Sequence, residues 1–265
     1  MSNQKQNYLC QCRIKSQKSL FDYVVLLIFF SSFLTVSLPT TFASDLARLL
    51  AASRCVVRIN VEAGGIAPAP PPEAAAGNTG TIAANQPLRV FHFQTSGGGI
   101  VLTPAGIIVT NAHILQAPMR ITVTFKDGTT LPASILHVEP GADLALLKVD
   151  SDQELPYLPL SDSDQLELGQ AVYSLGSSTF LSHTLSEGQI SALGQHQGQT
   201  AGIAVILINF KVYPGDSGSP VLNGRGEVVG ITTAGQTSGK QETYAIASNV
   251  IREALENYEE KIKTA

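Results

Sequence analysis

Short apolar segments separated by turn signals run through most of the chain. The segment Val56–Val61 alternates in polarity and is rich in β-branched residues, a pattern typical of a β-strand. Turn-forming dipeptides such as Asp127-Gly128 and Asn223-Gly224 separate several later segments. About a dozen short strands indicate an all-β fold of barrel or sandwich type. The further predicted strands are 89–94, 99–102, 107–110, 120–125, 131–138, 144–149, 171–175, 187–193, 203–209, 220–223, 227–233 and 243–246.

Two helical patterns flank the predicted strands, and one segment favours neither structure. Residues 44–53 predict a short helix with Ser44 as its N-cap. Segment 63–87 is rich in Ala and Pro and cannot form a core, so we predict an exposed flexible loop there. Residues 248–258 predict a C-terminal amphipathic helix, whose apolar face carries Val250, Ile251, Ala254 and Leu255.

The first 43 residues have the pattern of a targeting segment. The basic stretch Arg13–Lys18 precedes an apolar run, Tyr23–Leu38, of 16 residues. Pro39 then breaks any helix, and Thr41 and Ala43 supply the small residues of a cleavage site. A membrane-spanning helix needs about 20 residues, so a cleaved signal peptide is favoured and an uncleaved membrane anchor is the alternative. In both cases residues 44–265 are expected to be exported.

Composition and charge narrow the classes of function. With 44% hydrophobic and 14% charged residues, the chain is neither disordered nor a coiled coil. Residues 1–43 hold four basic residues and one acidic residue, whereas residues 44–265 hold 13 basic and 20 acidic ones. An acidic exported part has no basic surface for nucleic acid, which is therefore not an expected partner. Cys55 is the only cysteine after residue 43, so no internal disulfide is predicted.

The segment Gly215-Asp-Ser-Gly-Ser-Pro220 is the strongest local signal for chemistry. Glycines on both sides of Ser217 allow a tight, exposed turn whose backbone N–H groups converge on one point. Such a turn supplies a nucleophile together with an oxyanion hole. Taken alone, the segment is equally compatible with a glycine-rich hairpin that happens to contain serine.

Two further residues stand where a general base and its partner would be expected. His113 follows an apolar strand, and a base held on a rigid strand end suits proton transfer. Asp143 directly precedes an apolar strand, where a partly buried carboxylate needs a donor such as an imidazole N–H. The alternatives are a core histidine and a solvated turn aspartate. No pair of histidines has the spacing of a metal site, and we expect neither a metal nor another cofactor.

The chain order His113, Asp143, Ser217 resembles that of the chymotrypsin-fold serine proteases. Within this fold, the sequence is most similar to the HtrA/Deg family. The resemblance extends over residues 46 to 257 and is carried by six segments: 96–101, 106–113, 143–149, 160–176, 184–194 and 244–251.

This resemblance implies two six-stranded antiparallel β-barrels with short terminal helices. The first barrel is expected over about 54–150 and the second over about 165–247, with the active site in the cleft between them. Ser217 would attack the peptide carbonyl, His113 would take and return its proton, and Asp143 would orient the imidazole. The oxyanion hole would be built by the turn Gly215, Asp216 and Ser217.

The family also implies a substrate pocket and a biological role. A small to medium apolar substrate side chain is expected, with the Lys211 ammonium pointing outward. Such a protease would hydrolyse unfolded or damaged exported proteins in the periplasm, as a homotrimer, with attachment to the inner membrane if the signal is uncleaved. The alternative is a protease-fold chaperone or adaptor with a gated or inactive site. The pocket residues implied by the resemblance are Lys211, Val212, Ile231, Thr232, Thr233 and Ala234.

The sequence departs from the family pattern at three points. Only seven residues, Glu259–Ala265, follow the predicted C-terminal helix 248–258, so no PDZ domain is expected. Asp216 stands where the family usually has Asn. Ser219 replaces the usual second Gly, as in glutamyl endopeptidases of the V8 type, but the strand segment 230–234 lacks their histidine, which argues against glutamate specificity.

Overall fold

The computed structural model describes residues 40–68, 88–176, 184–195, 202–235 and 242–264. The described residues from Asp45 onward belong to one compact unit. The apolar run Tyr23–Leu38 lies outside the described residues. Neither of the described helices combines the length and the apolar character that crossing a bilayer requires.

The described ranges contain twelve strands and two α-helices. The helices are α1 (Thr40–Ala52) and α2 (Ser248–Thr264). The strands are β1 (Val56–Pro68), β2 (Leu88–Val101), β3 (Ile107–Asn111), β4 (Pro118–Thr124), β5 (Thr130–Glu139), β6 (Leu144–Val149), β7 (Ala171–Gly176), β8 (Thr184–Gln195), β9 (Ala204–Ile208), β10 (Pro220–Leu222), β11 (Val228–Gly235) and β12 (Thr243–Ala247).

These strands form two closed antiparallel barrels of six strands each. The first has the order β1-β2-β3-β6-β5-β4 and the second the order β10-β11-β12-β9-β8-β7. The predicted fold class is therefore confirmed. Closure leaves neither sheet with a free edge, which protects strands that would otherwise pair with other chains.

Burial on both faces explains why β6 is a nearly continuous apolar run. In β6, Leu144 and Leu146 pack into one hydrophobic cluster, whereas Ala145 and Leu147 pack into another. The cluster that contains Ala145 and Leu147 lies within the first barrel alone. The cluster that contains Leu144 and Leu146 combines residues of both barrels with Leu49 of α1 and side chains of α2, so it joins the barrels and the helices into one core. Successive side chains of a strand point to opposite faces, which divides them between the two clusters.

The observed elements differ from the predicted ones in the β1–β2 hairpin and at the helix ends. The segment predicted as a loop from residue 63 begins as strand, because β1 continues to Pro68 and pairs there with Leu88; residues 69–87 lie outside the described ranges. The predicted strands 89–94 and 99–102 are one strand, since the intervening glycines keep their pairing with β1. Helix α1 begins four residues before the predicted Ser44, and α2 continues to Thr264 instead of ending at 258.

Candidate active site

His113 and Asp143 are brought together where β3 ends and β6 begins. His113 lies on a single turn of 3₁₀ helix, Ala112–Leu115, that directly follows β3. Asp143 takes a left-handed backbone conformation, with φ of 53°, just before β6. Its backbone carbonyl accepts the Ala112 N–H at 3.0 Å and the Asn111 side-chain amide at 3.1 Å. The backbone of Asp143 therefore holds the turn on which the histidine stands.

The carboxylate of Asp143 fixes the imidazole ring as well. His113 Nδ1 lies 2.8 Å from Oδ2 and 3.1 Å from Oδ1, and the His113 backbone N–H donates to Oδ1 at 2.9 Å. A carboxylate can only accept, so Nδ1 carries the proton and Nε2 is left with a free lone pair. The exposed fraction is 41% for the His113 side chain and 15% for that of Asp143. This geometry suits a general base that faces solvent and is oriented by a partly buried acid.

Thr233 on β11 connects the acid to the nucleophile segment. Its hydroxyl donates to Asp143 Oδ2 at 2.7 Å, and its backbone carbonyl accepts the Ser217 hydroxyl at 3.5 Å. Burial would raise the pKa of Asp143, but the hydrogen bonds from His113 and Thr233 outweigh it and hold that pKa below its ordinary value. Within the described ranges no hydrogen bond joins Ser217 to His113. Sequence reasoning placed Thr233 in the substrate pocket and missed this contact.

Two glycines allow the nucleophile turn to dock against the first barrel. The Gly98 N–H donates to the Ser217 carbonyl at 2.6 Å. A Cβ on Gly98 would lie 2.6 Å from Ser219 Oγ, and one on Gly218 would lie 2.2 Å from the Gly98 carbonyl oxygen. Gly218 also has a φ of +82°, which other residues rarely adopt. The signal in the sequence for this contact is the run Gly97–Gly99, because glycines inside a strand mark close backbone approach.

The backbone of the turn leaves two N–H groups available beside Ser217. The Asp216 N–H donates to the Tyr213 carbonyl at 2.9 Å and is therefore occupied. Neither the Gly215 N–H nor the Ser217 N–H donates to any residue that the structure describes. Of the three residues predicted for the oxyanion hole, Gly215 and Ser217 thus retain free donors.

Asp216 itself is buried, with 5% of its surface exposed. Its Oδ2 accepts the Tyr213 N–H at 2.8 Å, whereas Oδ1 has no hydrogen-bond partner among the described residues. Burial raises the pKa of this carboxyl, and the single hydrogen bond from Tyr213 offsets only part of that effect. Oδ1 of Asp216 is therefore neither exposed to water nor hydrogen-bonded to a described residue.

The residues predicted to line the substrate pocket are divided between core and surface. Ile231 and Thr232 are fully buried; Ile231 packs in the shared core and the Thr232 hydroxyl donates to the Asp216 carbonyl, so neither faces a substrate. Val212 is half-buried against the core of the second barrel. Lys211 is exposed, and its ammonium lies 5.0 Å from the centre of the Tyr213 ring. The side chain of Ala234 lies outside the described part of the structure.

Comparison with known proteins finds a trypsin-like peptidase domain and several serine proteases. Residues 97–231 match the model of the trypsin-like peptidase domain. The chain is 31% identical over 168 residues to the putative serine protease HhoB of Synechocystis, and 37% identical over 173 residues to the serine protease HTRA4 of Mus musculus. It is 39% identical over 139 residues to a probable periplasmic serine endoprotease, DegP-like, of Chlamydia pneumoniae. These matches cover 62%, 63% and 52% of this chain but only 40%, 35% and 28% of the respective relatives.

The solved structures agree in fold. A variant of the HtrA-type protease AlgW with a decapeptide superposes with a TM-score of 0.72 at 23% identity, over 82% of this chain and 67% of the other. A second structure, AlgW with a tripeptide, gives a TM-score of 0.63 at 24% identity, over 81% of this chain and 61% of the other. The matched domain, the relatives and the two closed barrels together show that the chain belongs to the trypsin-like peptidase family, as a serine protease domain of the HtrA type.

Proposed function

We propose that this chain is a serine endopeptidase in which Ser217, His113 and Asp143 act as a catalytic triad. The observation that carries the proposal is the 2.8 Å contact between His113 Nδ1 and Asp143 Oδ2, on a histidine whose side chain is 41% exposed and whose Nε2 makes no hydrogen bond to a described residue. Thr233 supports the arrangement, because it contacts both the Asp143 carboxylate and the Ser217 hydroxyl.

The reaction follows from these positions. His113 Nε2 accepts the Ser217 hydroxyl proton as Oγ attacks the substrate carbonyl, and later donates that proton to the leaving amine. Asp143 holds the reactive tautomer and stabilises the imidazolium. The free N–H groups of Gly215 and Ser217 stabilise the oxyanion, and loss of one such donor typically costs about 3 kcal/mol in the transition state.

The substrates we propose are unfolded or damaged exported polypeptides, in a protein quality-control role in the periplasm. The predicted targeting segment, residues 1–43, supports export, and one relative carries the name of a probable periplasmic endoprotease. Cleavage of a denatured protein, but not of its folded form, by the purified full chain is the expected result. Equal cleavage of both forms would contradict a role in quality control.

For the substrate side chain next to the scissile bond we propose a small to medium apolar residue. Val212, three residues before Gly215, is apolar and half-buried against the core of the second barrel, and the exposed Lys211 ammonium lies over the Tyr213 ring. Lys211→Ala should therefore leave the preference in a peptide library unchanged. A preference for acidic residues that disappears in this variant would reassign Lys211 to the pocket.

We also propose a homotrimer that uses α1. Leu46 and Leu50 lie one helical turn apart, and 39% and 59% of their surfaces are exposed. Exposed leucines at this spacing form an apolar strip suited to association. Mass photometry should show a trimer that dissociates when both leucines are replaced by Ser; a monomeric parent protein would contradict the proposal.

A polypeptide-binding protein with a gated site is the second candidate. The Ser217 hydroxyl is hydrogen-bonded to the Thr233 carbonyl and not to His113, which describes a nucleophile that is not yet activated. Binding of an unfolded protein without turnover would be the expected behaviour of this alternative.

Covalent labelling with a fluorophosphonate probe separates the two candidates. The parent chain should label and Ser217→Ala should not, because the probe needs an activated serine and a formed oxyanion hole. Labelling only after an unfolded protein is added identifies a gated enzyme. Absence of labelling under both conditions overturns the protease proposal and favours the binding protein.

A further inference from the structure

The carboxyl group of Asp216 occupies an unusual position for a group that is normally charged. It is buried, one oxygen receives a single backbone N–H from Tyr213, and the other oxygen receives none. Carboxylates that are stable in a protein interior commonly accept two or three hydrogen bonds or pair with a cation. Asp216 has neither form of compensation among the described residues.

The surroundings of Oδ1 show why no donor reaches it. A Cβ on Gly176 would lie 2.7 Å from Asp216 Oδ1 and 2.5 Å from the hydroxyl oxygen of Thr184. Oδ1 is thus packed against the end of β7, on the same side as a hydroxyl group from the start of β8. No hydrogen bond joins the Thr184 hydroxyl to Oδ1, so Oδ1 is enclosed without a donor from any residue that the structure describes.

The charged groups near this position do not neutralise Asp216. On its own segment, the Lys211 ammonium lies over the Tyr213 ring. On β8 the nearest titratable side chain in sequence is the acidic Glu187, and the contact from β11 comes from the uncharged Thr232. His113 is paired with Asp143. In the described ranges no lysine, arginine or histidine forms an ion pair with Asp216.

Asp216 also controls the backbone of the oxyanion turn. Its Oδ2 accepts the Tyr213 N–H while its own N–H donates to the Tyr213 carbonyl, which closes a ring around residues 213–216. Gly215 lies inside this ring with a φ of +96°. The orientation of the Gly215 N–H therefore depends on the carboxyl group staying where it is.

We propose that Asp216 works as a neutral carboxylic acid and is a positioning residue for the oxyanion hole, so that loss of its proton releases the turn and silences the site. The ionised carboxylate is drawn towards water, the ring with Tyr213 opens, and the Gly215 and Ser217 N–H groups no longer converge. This inference rests on the proposed function. We therefore expect the reactivity of Ser217 to decrease as pH rises and Asp216 ionises. Burial raises the pKa at which this ionisation occurs.

The first test compares Asp216→Asn with the parent protein in fluorophosphonate labelling rates across pH. Asparagine keeps the shape and the acceptor of the neutral acid but has no proton to lose. His113 contributes equally to both proteins, so the ratio of parent rate to variant rate isolates Asp216. We expect this ratio to fall by about tenfold per pH unit once Asp216 ionises. The matched control Asp152→Asn, at an exposed position, should give a ratio that does not change with pH.

The second test measures the proton itself and does not depend on activity. In the infrared difference spectrum of the parent minus Asp216→Asn, the carbonyl band of a protonated carboxyl group should be present and should disappear as pH is raised. A carboxylate band at every pH, or a labelling ratio independent of pH, overturns the inference and indicates a cation supplied from outside the described residues. Should neither protein label at any pH, the protease proposal fails, while the infrared spectrum still decides the state of Asp216.

Discussion

The hydroxyl of Thr233 donates a 2.7 Å hydrogen bond to Oδ2 of Asp143, across 90 positions of sequence and from one barrel to the other. The same Asp143 oxygen lies 2.8 Å from His113 Nδ1, so two donors share it. A residue of the second barrel thereby helps to orient an acid of the first. The alignment of the acid and base depends on how the two barrels dock, and this gives the first prediction.

Replacing Thr233 with Val should reduce kcat/KM by roughly 10- to 150-fold. Valine keeps the β-branched shape but removes one hydrogen bond to a charged group, which is worth about 1.5–3 kcal/mol. The pKa of Asp143 should rise in this variant, because one of the donors that lowers it is lost. Steady-state kinetics on a peptide substrate measures the effect, with Thr233→Ser as the control that keeps the hydroxyl. Equal activity of the Val and Ser variants would show that the contact is not functional.

Asp143→Asn should leave the fold intact and reduce kcat by about 10⁴-fold, as isosteric loss of the acid does in triad proteases. The amide can donate to the imidazole, which favours the wrong tautomer of His113. Circular dichroism would check the fold, and burst kinetics would measure the rate of the chemical step. A variant with nearly full activity would remove Asp143 from the proposed triad.

Asp216 and Asp143 should influence stability with opposite signs as pH changes. Burial raises the pKa of Asp216, so the folded protein holds this proton more tightly than the unfolded chain does. The stability from Asp216 is complete below its unfolded pKa and is lost as pH rises through the folded pKa. Asp216→Asn should therefore have a higher Tm than the parent at neutral pH and an equal Tm in acid.

Thermal melts from acidic to neutral pH measure the Tm difference between the parent and Asp216→Asn. Asp143 should show the opposite dependence of stability on pH. The pKa of Asp143 is lowered, so its contribution is present above the unfolded pKa and is lost as pH falls through the folded one. A Tm difference for Asp216→Asn that is constant with pH would contradict the raised pKa.

Gly98→Ala should damage the nucleophile turn more than it damages the first barrel. Its Cβ would meet the Ser219 backbone nitrogen at 2.8 Å, which is closer than side-chain contacts allow. We expect a loss of about 1–3 kcal/mol in the free energy of unfolding and at least a comparable loss of fluorophosphonate reactivity. Gly194→Ala is the matched control, because no described residue lies within 4 Å of its Cβ position. Similar behaviour of the two variants would show that the barrels can separate at Gly98 without consequence.

The sequence alone determined the number and type of most strands and the segments that carry His113, Asp143 and Ser217. Alternating apolar positions and turn dipeptides are local signals. They predict strands because a strand with one face in the core needs apolar residues at alternate positions. Local pattern failed in the β1–β2 hairpin, where pairing between Pro68 and Leu88 overrides a composition typical of loops. The family resemblance placed Ile231 in the substrate pocket, whereas its side chain packs in the core that both barrels and the helices share.

Only the tertiary structure decided which atoms meet at the site. Thr233 contacts Asp143 and Gly98 contacts Ser217 because the two closed barrels pack against each other, and no short-range pattern in the sequence encodes that packing. The state of Asp216 depends on the same packing, since its burial against Gly176 removes water from Oδ1. The sequence specifies the reactive groups through local constraints, whereas distances, burial and pKa arise from contacts between residues far apart in the chain.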